Sequence, residues 1–196
     1  PVMLDEVVSA VDSAASGVRS GAPSLCTELG RGTHVDCTLG GAGHAAQILQ
    51  NSPNITQLVG LDPDGDAVAA SVARLDALSS PIRRRLWQQL GDGSLKQLSR
   101  HQPDSVSQLV DVIHGTYEHV LPSLISLSRE ASRDFLGVAS VLLDAGVSSH
   151  QLDSPHRGFS YKQSAGPSSL DMRFASQLPQ QLLPPAEAQL PEMPAF

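Results

Sequence analysis

The chain has 196 residues, of which 40% are hydrophobic, and a formal net charge of −7 at pH 7. This length suits one domain with a buried core, and the acidic balance argues against long, non-specific tracking along a nucleic-acid backbone. Two cysteines, Cys26 and Cys37, are too few for a disulfide framework and indicate a reducing compartment. We expect neither a transmembrane helix nor a signal peptide, because long apolar runs are absent from the sequence.

The first segment predicts a helix that packs on the core. Apolar residues at Leu4, Val7, Val8 and Val11 form one stripe with helical spacing. The Ser-, Gly- and Ala-rich residues 13–32 that follow are interpreted as a loop.

Residues 33–50 have the pattern of a strand, a glycine-rich turn and a helix. A β-branched run predicts a strand near 33–37, and a helix follows near 43–50. Between them lies the glycine loop, Asp36-Cys-Thr-Leu-Gly-Gly-Ala-Gly-His44. Glycine lets a ligand approach the main chain closely, and the N–H groups at the start of the helix face that ligand.

A second strand, predicted near 57–62, ends at Asp62. In a Rossmann-like βαβ unit, a carboxylate about 20 residues beyond the glycine loop meets ribose hydroxyls. The loop has neither the G-x-G-x-x-G pattern nor a P-loop lysine. Asp36 at the strand end would repel a pyrophosphate but could hold a sulfonium nearby. These features favour S-adenosylmethionine over NAD or ATP and predict a methyltransferase core.

The middle of the chain predicts a helix over 64–78, with acidic residues at its N-terminus where the helix dipole favours them. Three consecutive arginines, 83–85, lie beside Trp87. This basic cluster is interpreted either as a solvated helix end or as a contact for RNA phosphates. Residues 91–108 are interpreted as a surface insertion.

Two further strands are predicted near 110–113 and 137–144, with a helix over 118–130 between them. In a doubly wound sheet the ligand crevice lies outside the carboxyl ends of the strands, where the strand order reverses. We expect this point between the first and the fourth strand. Five residues would converge there: Asp36, Gly43, Asp62, Tyr117 and Asp144.

The residues after the fourth strand resemble a family signature. Their sequence is Asp144-Ala-Gly-Val-Ser-Ser-His-Gln-Leu-Asp-Ser-Pro-His-Arg-Gly-Phe-Ser-Tyr161, followed by Leu170-Asp-Met-Arg173. It is similar to the D-L-G-V-S-S-x-Q-L-D, R-G-F-S-F and L-D-M-R-M motifs of the MraW-type small-subunit ribosomal RNA cytosine-N4 methyltransferases. The opening Pro1-Val-Met-Leu-Asp-Glu6 resembles their P-V-L-L-x-E, and the glycine loop resembles their D-x-T-x-G-x-G-G-H. The resemblance covers residues 1–12, 33–78 and 110–174.

The resemblance implies an α/β fold, namely a Rossmann-like class I methyltransferase core that is truncated to its first four strands. This core would occupy residues 1–174, and residues 175–196 would form a Pro-, Gln- and Leu-rich tail or linker. The family continues with further strands, so the fourth strand would have an open apolar edge. Either the rest of a longer chain or a partner would cover that edge.

The resemblance also implies which residues contact the cofactor, S-adenosylmethionine. These are Ala42, Gly43, His44, Asp62, Tyr117, Asp144 and Gln151. Two positions depart from the family pattern, because Ala42 replaces a glycine and Ala145 replaces a leucine.

A wall facing the substrate base is expected from five residues, with Asp144 as the candidate catalytic residue that accepts an N4–H and then the proton. The wall comprises Ser148, Ser149, Arg157, Phe159 and Tyr161. The alternative is that the turn from Arg157 to Tyr161 only packs the loop. No metal is expected, because paired His and Cys ligands are absent from the sequence.

The implied function is methylation of the N4 atom of a cytosine in small-subunit ribosomal RNA. The expected partners are that RNA and the small ribosomal subunit or its assembly factors, without a membrane. One alternative is a weakened or inactive homologue that serves as a ribosome assembly factor. A weaker alternative is methylation of another exocyclic amine or of a protein. The composition of the insertions suggests a mitochondrial location, with the cytoplasm as the alternative.

Overall fold

The computed structural model describes residues 3–17, 32–103, 107–122, 138–154, 157–159, 172–184 and 192–193. These residues form a seven-stranded mixed sheet with helices packed on both faces. Within these ranges, none of the helices has the length and apolar character needed to cross a bilayer.

The helices and strands follow one another in a mostly alternating order. They are α1 Leu4–Gly17, β1 Gly32–Asp36, α2 Gly43–Asn51, β2 Ile55–Asp62, α3 Gly65–Asp76, β3 Ile82–Gln89, β4 Leu95–His101, β5 Gln108–His114, β6 Val138–Leu142, α4 Ser149–Asp153 and β7 Glu192–Met193, with a 3-10 turn at Gln180–Leu182 before β7.

The strand order in the sheet is β6-β1-β2-β5-β3-β4-β7. The first five strands of this order run parallel, and β4 and β7 are antiparallel to their neighbours. The strand predicted near 137–144 is β6, and it pairs with β1 as expected. The α/β, Rossmann-like methyltransferase architecture predicted from the sequence is therefore confirmed.

The hairpin of β3 and β4 corrects two predictions. The three arginines 83–85 lie in β3 and not at a helix end, and residues 91–108 contain β4, which belongs to the sheet. Arg84 points to α3 and binds Asp76, whereas Arg85 points to the opposite face and binds Asp111. Two neighbouring arginines of one strand are thus paired with carboxylates from other elements, and the local sequence does not reveal these pairs.

Helix α1 is longer than predicted, since residues 13–17 continue it. Ala15 extends the apolar stripe by one turn beyond Val11, and both residues are buried. After β5 a helix begins at residue 117 and is described as far as 122. The remainder of the predicted helix 118–130 lies outside the described residues.

Two apolar clusters fill the two faces of the sheet. The first contains residues of α1, α2 and α3 together with Leu58, Leu86 and Val110, and the second contains Val59 and Ile113. Leu178, from the stretch assigned to a tail, is buried in the first cluster. The boundary at 174 stays a prediction, but the described residues that follow it contact the core. At the sheet edge formed by β6, Val138 and Val141 are exposed, whereas Ala139 packs on the first cluster.

Candidate functional site

The glycine loop joins β1 to α2 at the carboxyl edge of the parallel strands. Its main chain continues the sheet for a short distance, because Cys37 N–H donates to Leu142 O and Leu39 N–H donates to Leu61 O, each over 2.9 Å. Gly40 and Ala42 both have positive φ angles, of 52° and 56°. Ala42 is the N-cap residue of α2, and its side chain offers no acceptor to the first N–H groups of the helix.

Asp62 connects the end of β2 to this loop. Its Oδ2 accepts a hydrogen bond from Gly40 N–H over 2.8 Å, and its Oδ1 accepts one from Asp64 N–H over 2.9 Å. Burial raises the pKa of Asp62, while the two N–H donors act in the opposite direction. A carboxylate has about four acceptor positions, so two remain for other donors.

Three strand-end carboxylates lie close together at this edge. The pKa of Asp36 is raised to about 6, mainly by burial and in smaller part by the nearby charges of Asp62 and Asp144. The Thr38 N–H, which donates to Asp36 Oδ1 over 3.1 Å, and the neighbouring His44 lower it in part. The structure therefore brings together Asp36, Asp62 and Asp144, as the strand order predicted.

Asp144 and Tyr117 are exposed at the same edge. Asp144 follows β6, and its N–H donates to Thr38 Oγ1 over 2.9 Å, which fixes the backbone of β6 against the glycine loop. Tyr117 begins the helix after β5, next to Gly115, whose N–H donates to Asp62 O. Both side chains are thus accessible to a ligand.

The signature loop after β6 is held by a buried hub at Asp64. Asp64 is the N-cap of α3, and its carboxylate accepts hydrogen bonds from Gln151 Nε2, Ser176 Oγ and both terminal nitrogens of Arg157. Burial alone would raise the pKa of Asp64, but these hydrogen bonds outweigh it and hold the pKa below its ordinary value. The hub joins the end of β2, the signature loop and the stretch around residue 176.

This arrangement places several predicted contact residues in supporting positions. Gln151 and Arg157 are buried and bind Asp64. The Ser148 side chain accepts from Gln151 N–H and caps the short helix α4. The Phe159 ring packs on Phe174 with 5.3 Å between centroids. Their predicted roles at a cofactor or a base stay predictions.

Two members of the predicted wall, the Ser149 side chain and Tyr161, lie outside the described residues. Gly43 and His44 form the first turn of α2, and His44 is buried beside Asp36. In the described part of the chain, His, Cys, Asp and Glu do not form a group of three or more that could hold a metal ion.

The sequence did not single out Asp64, Ser176 or His114. His114 Nε2 lies 3.1 Å from Pro63 O and 2.9 Å from Ser176 O and donates to this pair of carbonyls. The only sequence signal for Asp64 is local, since Asp followed by Gly-Asp at a helix start is typical of an N-cap. Its distant partners leave no such signal.

The sequence profile described as the MraW methylase family matches residues 1–182. The chain belongs to the MraW methylase family. The match includes the glycine loop, the three strand-end carboxylates and the Asp64 hub.

Relatives within this family are named "Ribosomal RNA small subunit methyltransferase H". The protein from Symbiobacterium thermophilum is 35% identical over 89% of this chain and 38% of its own length. Those from Syntrophus aciditrophicus and Citrifermentans bemidjiense are 33% and 31% identical, over 90% and 88% of this chain and 40% and 39% of their own lengths. The chain thus spans about two fifths of the length of the curated relatives it matches.

Proposed function

We propose that the chain is an S-adenosylmethionine-dependent methyltransferase that acts on the N4 atom of a cytosine in small-subunit ribosomal RNA. The observation that carries this proposal is the convergence of Asp36, Asp62 and Asp144 on the glycine loop at the carboxyl edge of the sheet. The names of the relatives support the substrate class.

The residues at this edge fit the proposed cofactor. Asp62 keeps acceptor positions for ribose hydroxyls beyond the two bonds to the main chain. The methyl group of Ala42 is completely buried, so it does not protrude from the loop that would face the cofactor. The exposed ring of Tyr117 offers a stacking surface for adenine. S-adenosylmethionine, when bound, supplies the electrophilic methyl group, and its positive sulfonium suits an acidic edge.

Asp144 is the residue proposed to act on the substrate. The N4 lone pair of cytosine is delocalised into the ring, so the base must leave its stack and present its amino group in line with the methyl group. The exposed carboxylate of Asp144, on a backbone fixed by Thr38, accepts an N4–H and then the proton.

A scaffold without turnover is the second candidate. It is favoured by the bonds of Asp62, whose two oxygens already hold the main chain of the loop and of Asp64. In this case Asp62 would only fix the fold, and the chain would act as an assembly factor of the small subunit.

Calorimetry with S-adenosylmethionine separates the two candidates. The methyltransferase proposal expects measurable binding that falls at least tenfold for Asp62→Asn, because a carboxylate bonds ribose hydroxyls about twice as strongly as a neutral amide does. Methyl transfer to a small-subunit RNA transcript, with Asp144→Asn as the comparison, then tests the catalytic role. Absence of binding heat in the full-length protein would favour the scaffold.

A further inference from the structure

The hairpin of β3 and β4 concentrates positive charge in an acidic chain. Residues 82–101 contain five of the 13 lysines and arginines and one carboxylate, Asp92, so their net charge is +4 against −7 for the whole chain. The hairpin lies outside the three stretches that resemble the family motifs. Its charge therefore needs an explanation of its own.

Three arginines share one face of this hairpin. Arg83 and Arg85 alternate with Arg84 along β3, and Arg100 lies directly opposite Arg85 in the antiparallel register. Arg84 faces α3 and is neutralised by Asp76. On the other face Asp111 accepts two hydrogen bonds from Arg85.

Arg83 and Arg100 have no ion pair within the described residues. The Nε atom of Arg83 is buried without a hydrogen-bond acceptor, and Arg100 is exposed. A phosphate from outside the chain cannot reach this occluded atom, but it can approach the terminal nitrogens of Arg83 and the exposed guanidinium of Arg100. Guanidinium groups match phosphate oxygens in geometry as well as in charge.

We propose that the hairpin face defined by Arg83 and Arg100 binds the phosphate backbone of the RNA substrate. This inference rests on the proposed function. The large apolar side chains that are exposed in the described structure all lie outside residues 82–101. Protein interfaces and membrane-inserted helices are typically anchored by apolar or aromatic side chains, whereas a nucleic-acid backbone is bound through charge.

The patch lies away from the crevice, so it contacts nucleotides that flank the target. Arg83 aligns with Leu109 near the start of β5, whereas Gln88 aligns with His114 at its end. Five residues of strand correspond to about 16 Å. Phosphate contacts at this distance set affinity and position without reading sequence.

The test uses the full-length protein and a transcript of small-subunit ribosomal RNA, with binding measured across a range of KCl concentrations. Arg100→Glu is compared with Arg74→Glu, because Arg74 is also exposed but lies on α3 and the change in charge is the same. We expect Arg100→Glu to weaken binding about tenfold at low salt and to lower the slope of log K against log[KCl] by about one. Arg74→Glu should change affinity less than about twofold.

Kinetics and a milder variant complete the test. The double variant Arg83→Gln/Arg100→Gln should raise KM for RNA with kcat and binding of S-adenosylmethionine unchanged. If Arg74→Glu weakens binding as much as Arg100→Glu, or if neither weakens it, the proposal is overturned. Failure of the proposed function would give a different result. In that case the wild-type protein would transfer no methyl group to the RNA, independently of how the hairpin variants change RNA binding.

Discussion

Arg157 and Asp64 form a buried, two-pronged ion pair although they lie 93 residues apart in the chain. Arg157 Nη1 lies 3.0 Å from Asp64 Oδ1, and Arg157 Nη2 lies 2.8 Å from Asp64 Oδ2. The same guanidinium donates to Phe174 O over 3.0 Å. One side chain thus fixes the signature loop to the turn after β2 and to the stretch that follows residue 172.

We expect Arg157→Met to lower the free energy of unfolding by about 3–5 kcal/mol, because it leaves the buried Asp64 carboxylate without its cation. Arg74 is an exposed arginine on α3 and provides the matched control. Arg74→Met should change the free energy of unfolding by less than about 0.5 kcal/mol. Urea unfolding measures both. Adding Asp64→Asn to Arg157→Met should recover part of the loss, and a double variant as unstable as the sum of the single variants would argue against direct coupling.

The buried carboxylate of Asp36 predicts an unusual dependence of stability on pH. Its pKa of about 6 means that the folded state favours the protonated form. This contribution is fully present below the unfolded pKa of about 3.9 and is lost as the pH rises through 6. Asp36→Asn should therefore stabilise the fold by about 3 kcal/mol at pH 7.5 but only about 1 kcal/mol at pH 4.5. Chemical denaturation at the two pH values measures this difference.

The buried His34 has the opposite effect. Burial, with a contribution from His44, lowers its pKa to about 4, so its stabilisation is complete above the unfolded pKa of about 6.5 and is lost as the pH falls through 4. The Asp36→Asn variant should therefore lose stability on acidification from pH 6.5 to 4.5 more steeply than the wild-type protein does. A variant that is less stable than wild type at pH 7.5 would contradict the argument for Asp36. Asp153→Asn, at an exposed carboxylate, serves as the control.

Gly65 predicts how closely the stretch after residue 172 packs on the core. A Cβ atom at Gly65 would overlap the backbone carbonyl of Gln177, which cannot rotate away as a side chain can. Gly65→Ala should cost about 1–3 kcal/mol and speed proteolytic cleavage between residues 172 and 184. Gly91→Ala is the control, because a Cβ atom added at Gly91 would have no neighbour within 4 Å, and the φ angle of Gly91 is not positive. Equal effects of the two substitutions would show that Gln177 does not press on Gly65.

Substitution of Asp111 should also be costly. This residue lies on the sheet face that carries the second apolar cluster, next to Trp87. Its carboxylate accepts hydrogen bonds from Arg85, from Trp87 Nε1 over 2.8 Å and from Gln57 Nε2 over 3.1 Å. Asp111→Asn removes the charge and places an amide donor against these donors, so we expect a loss of about 3–5 kcal/mol. Trp87 is the single tryptophan, and its fluorescence should report the disturbed contact directly.

The control for Asp111 is the second ion pair of β3, between Arg84 and Asp76. The Asp76 side chain, which binds Arg84, is 35% exposed, whereas that of Asp111 is 4% exposed. The Arg84 side chain is only 7% exposed, but water solvates the Asp76 end of the pair, so Asp76→Asn should cost less than Asp111→Asn, about 1–2 kcal/mol. A larger loss for Asp76→Asn than for Asp111→Asn would mean that burial does not decide the strength of these pairs.

The local sequence was sufficient for the strand, glycine loop and helix around residues 32–51, for Asp62 and for the place of β6 beside β1. Periodicity, turn residues and the rule for parallel strands are all contained in short stretches. The convergence of Asp36, Asp62 and Asp144 followed from these, because the carboxyl ends of parallel strands meet at one edge. The roles of these residues toward a cofactor and a base remain predictions.

Only the tertiary structure decided that arginines 83–85 belong to a strand and that Asp64 is a hub. In both cases a charged side chain bonds partners that are distant in sequence: Asp111 lies 26 residues from Arg85, and Ser176 lies 112 residues from Asp64. A charged side chain is predicted to face water unless its counter-charge is known. That counter-charge is supplied only when the chain has folded and distant segments meet.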